Sequence, residues 1–307
     1  MKTMNKSGTD MRKWIQHTLR LLDRTVSVGL WLVGGWVFTI VFLFASYNIP
    51  SSSMKPTLFP GDYILADKTY LGARIFNLQA SIEHKPFKIY RVWGRNQLKA
   101  GDITIFNYPY PQTRDSIGFD ILSYYVKRCV GLPGDSLSID EGYYQINGHP
   151  LTVFPSAVCH LHDSLHQVFT TGEKRIKGVS INAYPKQKEI GWTTINFGPF
   201  YIPRKGDYIT ISRQHFLLYR TLIEWETGQK LIWHEDGAYL NEKKLVAYHF
   251  QENYYFMAGD NVFDSVDSRY WGLLPESYIA GKAVRIWQSK NRFTGDMNWD
   301  RVWKRIE

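Results

Sequence analysis

Residues 48–58 read NIPSSSMKPTL and directly follow VSVGLWLVGGWVFTIVFLFA (residues 26–45), a stretch without a charged residue. At about 1.5 Å rise per residue, roughly 20 helical residues cover the ~30 Å hydrocarbon core of a bilayer. The apolar stretch therefore predicts a single transmembrane helix, which we place at residues 26–46. Because the serines come immediately after it, a candidate nucleophile stands close to a membrane surface.

The segment before this helix, residues 1–25, is basic. Its charged residues are Lys2, Lys6, Arg12, Lys13, Arg20 and Arg24 against Asp10 and Asp23, a net charge of +4. The positive-inside rule predicts that this segment stays cytoplasmic and that the chain after the helix lies outside. A cleaved secretory signal is the alternative, but cleavage after Ala45 would put the large Leu43 where a small residue is needed.

The charge of the whole chain is modestly positive, with 37 Lys and Arg against 28 Asp and Glu, a net of +9. Without the basic flank, about +5 remains for the exported part. No basic stripe or nucleic-acid-binding motif accompanies this charge, so we expect no nucleic-acid partner. Attraction to anionic membrane lipids is the simpler interpretation.

The exported part has the pattern of a mainly β protein. The dipeptide Gly-Asp opens an apolar or alternating run at 61–62, 101–102, 134–135 and 206–207. Glycine permits positive φ and aspartate bonds the following backbone, so each is typical of a turn that leads into a strand. A fifth copy, at 259–260, is followed by polar residues and indicates a loop. No helical pattern of convincing length is apparent outside the membrane segment.

A lysine stands in the apolar run YYVKRCVGLPGD (residues 124–135). Strand alternation puts Lys127 on one face with Tyr125 and Cys129, while Arg128 points the other way. Burial among such neighbours lowers a lysine pKa, and a shift of roughly two units requires about 2.7 kcal/mol. Lys127 could then serve Ser53 as a base without histidine or carboxylate. The alternative is an edge-strand lysine that opposes aggregation.

Four groups of residues now carry a resemblance. They are SSSMKPTL (51–58) with Gly61-Asp62, GDITIF (101–106), KRCVGLPGD (127–135), and GDN (259–261) with Ser265 and DSRYWG (267–272). In this order they resemble the motif boxes of bacterial type I signal peptidases. The resemblance covers the chain from about Tyr47 to Ser289, except for most of the segment between 141 and 254.

The resemblance implies a membrane-bound serine endopeptidase that removes signal peptides from exported preproteins. It would lie in the bacterial inner membrane as a single-pass protein. Ser53 would be the nucleophile and Lys127 its general base. The Ser51 hydroxyl and the Ser53 backbone N–H would form the oxyanion hole. Ser265 would hold the lysine ammonium, and no metal or cofactor is implied.

The family also implies supporting and substrate-binding residues. Asp267 and Arg269 would form an ion pair that braces their loop. Preproteins with small residues at the first and third positions before the bond would bind as an extended strand. The implied substrate-binding positions are Tyr47, Ile49, Met54, Leu58, Tyr125 and Val126. Val262 and Phe263 depart from the family pattern, which usually has arginine and a polar residue there.

The implied fold is a signal-peptidase-like β catalytic domain with an inserted smaller domain, after one transmembrane helix. We divide the chain into a basic segment 1–25, the helix 26–46, catalytic parts 47–140 and 254–290, an insert 141–253 and a Trp-rich basic tail 291–307. Trp299 and Trp303 in this tail suit a lipid headgroup zone. Packing of these rings onto the β body is the alternative.

Other interpretations remain. Ser52 and Lys55 form an S-x-x-K pattern like that of penicillin-binding acyl enzymes, but Pro56 steers Lys55 out of the helical region. Cys159, His160, His162, Asp163 and His166 could bind zinc, although their spacing fits no regular zinc pattern and favours a polar loop. Cys129 and Cys159 could pair. The chain could also be a specialised or non-catalytic paralogue that binds a narrow set of exported proteins.

Overall fold

The computed structural model describes residues 6–83, 85, 87–113, 115–170 and 182–306, with side chains from Trp14 onward apart from Phe169. Lys2 of the basic flank therefore lies outside the described residues. The helices are α1 (Lys6–Phe38), α2 (Leu78–Ile82), α3 (Ser156–Thr170), α4 (Arg213–Thr227) and α5 (Ser268–Trp271), with a π-helical turn at Thr39–Leu43 and 3-10 turns at Glu276–Tyr278 and Trp299–Arg301.

The strands are β1 (Phe44–Asn48), β2 (Asp62–Asp67), β3 (Arg74–Ile75), β4 (Tyr90–Arg91), β5 (Ile103–Asn107), β6 (Tyr124–Gly131), β7 (Ser136–Asp140), β8 (Tyr143–Ile146), β9 (His149–Pro150), β10 (Phe197–Tyr201), β11 (Tyr208–Thr210), β12 (Leu231–His234), β13 (Gly237–Leu240), β14 (Lys243–Lys244), β15 (Ala247–His249), β16 (Tyr254–Ala258), β17 (Leu274–Pro275) and β18 (Ile279–Ser289). They form one large sheet and four smaller ones.

The N-terminal helix is longer at its start and shorter at its end than the sequence predicted. Helix α1 begins at Lys6, within the basic flank, and the part long and apolar enough to cross a membrane is Trp14–Leu43. The predicted helix end at residue 46 is wrong, because Phe44–Asn48 pair with β2 as a strand. Lys68 caps the preceding turn, donating from its backbone N–H to Leu43 O at 2.8 Å and from Nζ to Ile40 O at 2.7 Å.

The large sheet is antiparallel and runs in the order β1-β2-β18-β5-β6-β16-β17. Three strands separate β1 from β6. The rings of Tyr47 on β1 and Tyr124 on β6 are nevertheless only 4.9 Å apart. The sheet therefore curls into a half-barrel whose concave face lies between these two strands. The predicted mainly β fold is confirmed.

The segment 141–253 packs against this sheet through a shared core. One hydrophobic cluster joins Val130 on β6 and Phe256 on β16 to Phe200, Leu222 and Ile223 of the segment. Its strands β8, β9 and β10 form a four-stranded sheet β10-β7-β8-β9 with β7, which precedes the segment, and its other strands form a three-stranded sheet β12-β13-β14 and the pair β11-β15. Burial of these apolar side chains holds the segment on the back of the catalytic strands.

Two helices of 15 residues lie in this segment, so the expectation of no substantial helix outside the membrane is wrong. Helix α4 has the usual signals at both ends. Ser212 accepts from His215 N–H at its start, and Gly228 adopts a left-handed conformation at its end. Leu218 and Leu222, four residues apart, face the core.

The C-terminal tail folds back along the sheet. Ile286 N–H on β18 donates to Lys304 O at 2.9 Å, and Arg301 forms a two-pronged ion pair with buried Asp62. Trp299 and Trp303 stay 73% and 60% exposed. These two rings are therefore not buried within the β body.

Candidate active site

The serine loop, residues 49–61, is closed by its own backbone. Ile49 N–H donates to Asp62 O at 2.8 Å, and Gly61 N–H donates to Ile49 O at 3.0 Å. Met54 and Leu58 are fully buried in the core beneath the half-barrel. These anchors fix Ser53, which is 9% exposed, at the base of a cleft. The serines therefore lie on a shaped turn and not on a flexible tether.

Lys127 meets Ser53 from the neighbouring wall of this cleft. Its ammonium nitrogen donates to Ser53 Oγ at 2.6 Å and to the Val126 carbonyl at 3.1 Å. The residue is 3% exposed and stands on β6, where it pairs with Thr104 of β5. Two residues 74 positions apart in sequence thus form one hydrogen-bonded pair.

Burial changes the protonation of this lysine. Desolvation lowers the pKa of Lys127 from 10.5 to about 8, although the carboxylates of Asp267 and Asp260 act in the opposite direction. At this pKa, on the order of a tenth of the side chain is neutral at pH 7, against less than a thousandth for an ordinary lysine. The site therefore holds an amine that can accept a proton.

A second loop, residues 259–261, is hydrogen-bonded to the backbone of the serine loop. Asn261 donates from its backbone N–H to Ser53 O at 3.1 Å and from its side chain to Ser52 O at 3.2 Å. Gly259 lies against the same carbonyl, because a Cβ added there would be 2.7 Å from Ser53 O and 2.1 Å from Ser265 Oγ. The glycine is thus required by close approach of two chain segments.

Two buried ion pairs brace these loops. Arg269 donates from Nε and Nη2 to the two carboxylate oxygens of Asp267, both at 2.8 Å. Burial alone would raise the pKa of Asp267, but the guanidinium and hydrogen bonds to the carboxylate lower it. Arg128 likewise donates from Nε and Nη2 to the two carboxylate oxygens of Asp260, at 2.8 and 2.7 Å. Asp260 also accepts from Thr57, which links the pair to the serine loop.

The Arg128–Asp260 pair was not predicted from the sequence. The only signal was that Arg128 points away from Lys127, which left its partner unidentified. Arg128 also donates to Gly101 O at 2.7 Å. The pair therefore joins all four motif groups, because Arg128 belongs to one and contacts the groups that contain Thr57, Gly101 and Asp260 directly or through Asp260.

Ser51 and Ser265 occupy different positions relative to the Ser53–Lys127 pair. Ser51 Oγ lies 3.3 Å from Ser53 Oγ at the open side of the cleft. The Ser53 backbone N–H donates to no group in the described part of the chain. Ser265 Oγ is buried beside Asp267 and contributes to the lowered pKa of that carboxyl, and a bond from Ser265 to Lys127 stays a prediction.

The cleft beside the dyad has a volume of about 370 Å³. Five of the six residues predicted to bind substrate line it: Tyr47, Ile49, Met54, Tyr125 and Val126. Leu58 does not, because its side chain is fully enclosed in the core. Residues that sequence reasoning missed also line it: Asn48, Pro50, Tyr124, Asp264 and Val266.

Backbone edges face each other across this cleft. Among the described residues, β1 is hydrogen-bonded to a neighbouring strand on one side only, that of β2. On the other wall, β16 pairs with β6 only from Arg128 onward. Residues 124–127 therefore keep one edge open. An extended peptide can add its backbone hydrogen bonds to such edges.

The S-x-x-K pair, the Cys129–Cys159 disulfide and the zinc site find no support. Ser52 Oγ donates to Asp264, while Lys55 Nζ lies over the Phe59 ring, 5.6 Å from its centroid. Cys129 and Cys159 are free thiols. The residues considered for zinc lie on α3 and not in a loop, and no group of three potential metal ligands occurs among the described residues.

The profile of the family described as "Signal peptidase, peptidase S26" matches residues 22–288. The chain belongs to this family of signal peptidases. As a signal peptidase it is similar to signal peptidase I of Buchnera aphidicola subsp. Baizongia pistaciae, with 30% identity over 87% of this chain and 78% of the relative. It is also similar to signal peptidase I of Aquifex aeolicus, with 26% identity over 82% and 79% of the two chains.

A crystal structure of a signal peptidase I from Enterococcus faecalis V583 matches 61% of this signal peptidase and 97% of its own chain, with 18% identity and a TM-score of 0.28. Membership of the family makes the protein a protease that processes signal peptides. Its substrates are accordingly preproteins that carry such peptides.

We predict that Gly259→Ala lowers cleavage of a preprotein by about a hundredfold or more. The added methyl overlaps Ser265 and the Ser53 carbonyl, so the serine loop must shift, and a displacement near 1 Å costs about that much. Steady-state cleavage measures the effect. Gly118→Ala is the matched control, because its methyl would meet only Pro111 at 3.6 Å. Equal rates for both variants would show that the approach at Gly259 is unimportant.

Proposed function

We propose that this signal peptidase cleaves preproteins with a Ser53–Lys127 dyad. The observation that carries the proposal is the 2.6 Å hydrogen bond from Lys127 Nζ to Ser53 Oγ in a site that excludes water from the amine. Burial supplies the shifted pKa that a lysine base needs near neutral pH. The two residues therefore have the geometry and the protonation that nucleophilic catalysis requires.

In the first step, neutral Lys127 accepts the Ser53 proton while Oγ attacks the carbonyl carbon of the scissile bond. The lysine ammonium then gives this proton to the departing amine, and an ester to Ser53 remains. In the second step, the same lysine takes a proton from water, whose oxygen attacks the ester. Collapse breaks the bond to Ser53 Oγ, the lysine ammonium returns its proton to that oxygen, and the signal peptide leaves as a carboxylic acid.

The negative charge that develops on the carbonyl oxygen needs donors. The Ser53 backbone N–H is uncommitted within the described chain, and the Ser51 hydroxyl lies 3.3 Å from the nucleophile. Together they can serve as the oxyanion hole. Asp267 and Arg269 act as positioning residues, because Asp267 accepts from Gly259 N–H and so holds the loop behind Ser53.

The preprotein would bind as an extended strand between β1 and residues 124–127. The open edges supply backbone partners, and Ile49, Met54 and Val126 make a shallow apolar wall. This wall suits small residues before the scissile bond, in agreement with the resemblance.

Helix α1 would anchor the enzyme in the bacterial inner membrane, with the basic flank cytoplasmic and the catalytic part outside. The active site then stays near the outer leaflet, since β1 follows the helix directly. The C-terminal tail also lies close to the end of the helix. Trp287 of β18 donates to Ser46 Oγ on β1 at 2.7 Å, and the preceding residue, Ile286, is hydrogen-bonded to Lys304 of the tail. Exposed Trp299 and Trp303 would therefore rest on lipid.

We expect Ser53→Ala and Lys127→Ala each to abolish preprotein cleavage and to leave folding intact. Each removes half of one proton-transfer unit, so the double variant should be no slower than either single one. Cleavage of a purified preprotein and the thermal unfolding midpoint are the measurements. A Lys127→Ala enzyme with a near-normal rate, or a double variant far slower than both singles, would exclude the dyad.

The membrane contact is tested with a form that begins at Phe44 and keeps β1. It should still bind vesicles that contain anionic phosphatidylglycerol, and Trp299→Ala with Trp303→Ala should weaken the binding about tenfold while barely changing the unfolding midpoint. Vesicle sedimentation measures the binding. Tyr208→Ala, which removes a 58% exposed ring from β11, is the control. If the truncated form ignores vesicles, α1 alone sets the location.

A further inference from the structure

A second and larger cleft lies beside the catalytic one. Its volume is about 620 Å³, within the range of roughly 300–1,000 Å³ that is usual for ligand sites. One wall comes from α4 and residues 184–187 of the insert. The other comes from the loop 264–271, which also supports the serine.

The two clefts share part of their lining. Asp264 and Val266 line both of them, and Ser53 and Lys127 line the catalytic cleft. In the proposed binding mode, residues before the scissile bond fill the space between β1 and β6. A chain that continues past Ser53 then enters the second cleft.

The second cleft offers a guanidinium that can take a partner. Arg220 on α4 is half-buried and makes no hydrogen bond or ion pair with the described residues. A buried donor without a partner is costly, so an acceptor on a bound molecule would be stabilising.

Charge is arranged unevenly across this cleft. The insert wall carries Lys186, Arg213 and Arg220, whereas the opposite wall carries Asp115 and Asp264. Arg213 already has an exposed partner, Glu189, at 3.0 Å. Asp264 is engaged by Ser52 at the junction of the clefts. Arg220 is therefore the guanidinium best placed to receive a carboxylate.

We propose that this cleft is a subsite for the mature part of the preprotein, in which Arg220 binds an acidic side chain that follows the scissile bond. The proposal rests on the proposed function. It gives the insert a role in substrate selection, since Arg220 and its wall come from the segment 141–253. A guanidinium and a carboxylate in a partly desolvated cleft form a strong, directional pair.

The test uses the full chain in detergent and peptides that share one signal-peptide end. A single glutamate is moved one position at a time along an alanine segment after the bond. At its best position, glutamate should raise kcat/KM about fivefold to tenfold over alanine, mainly through KM, and lysine there should lower it. Arg220→Gln should bring the glutamate-to-alanine ratio near one, while Arg220→Lys should keep part of the preference.

Lys243→Gln is the matched control, because it removes an exposed cation on β14 and should leave the ratio unchanged. A flat glutamate scan with normal cleavage of the alanine peptide overturns this subsite and leaves the dyad untouched. A preference that survives Arg220→Gln also overturns it. Failure of the wild-type chain to cleave any of the peptides, or cleavage by Ser53→Ala, contradicts the proposed function itself.

Discussion

Lys127 loses its hydration where β6 meets the serine loop, and the proposed chemistry depends on that loss. Without burial its ammonium would keep its proton, and Ser53 would have no base among the residues that contact it. Lowering the pKa to about 8 corresponds to roughly 3 kcal/mol of differential solvation. The folded core supplies this free energy, because Lys127 is buried and its amine lies between Ser53 Oγ, the Val126 carbonyl and the Tyr125 ring.

Two ion pairs near Lys127 stabilise the loops around it, and the arginines in them limit the effect of the aspartates on the lysine pKa. Asp260 and Asp267 would favour the charged lysine, yet each is gripped by a buried arginine. Each carboxylate is therefore paired with an arginine, Asp260 with Arg128 and Asp267 with Arg269. The ion pairs can therefore hold the loops without raising the lysine pKa to its ordinary value. Removal of one partner of a pair would leave a buried charge uncompensated.

Much of this site could be predicted from local pattern. Strand alternation put Lys127 on one face with Tyr125 and Cys129, and the apolar stretch before residue 46 put the serines next to a membrane helix. What pattern could not give was distance between remote segments. The Arg128–Asp260 pair, the contact of Tyr124 with Tyr47 and the enclosure of Leu58 all depend on how strongly the sheet curls. Helix α4 was missed although Ser212 and Gly228 mark its ends, because its polar residues obscured the apolar face.

The central claim is that Lys127 is neutral in a substantial fraction of molecules near neutral pH. Nuclear magnetic resonance of the enzyme with 13Cε-labelled lysine, assigned with Lys127→Arg, measures that titration directly. We expect a midpoint near 8, with the fraction of neutral lysine, which is the base, increasing as the pH rises through it. A midpoint at or above the ordinary value near 10.4 would contradict it.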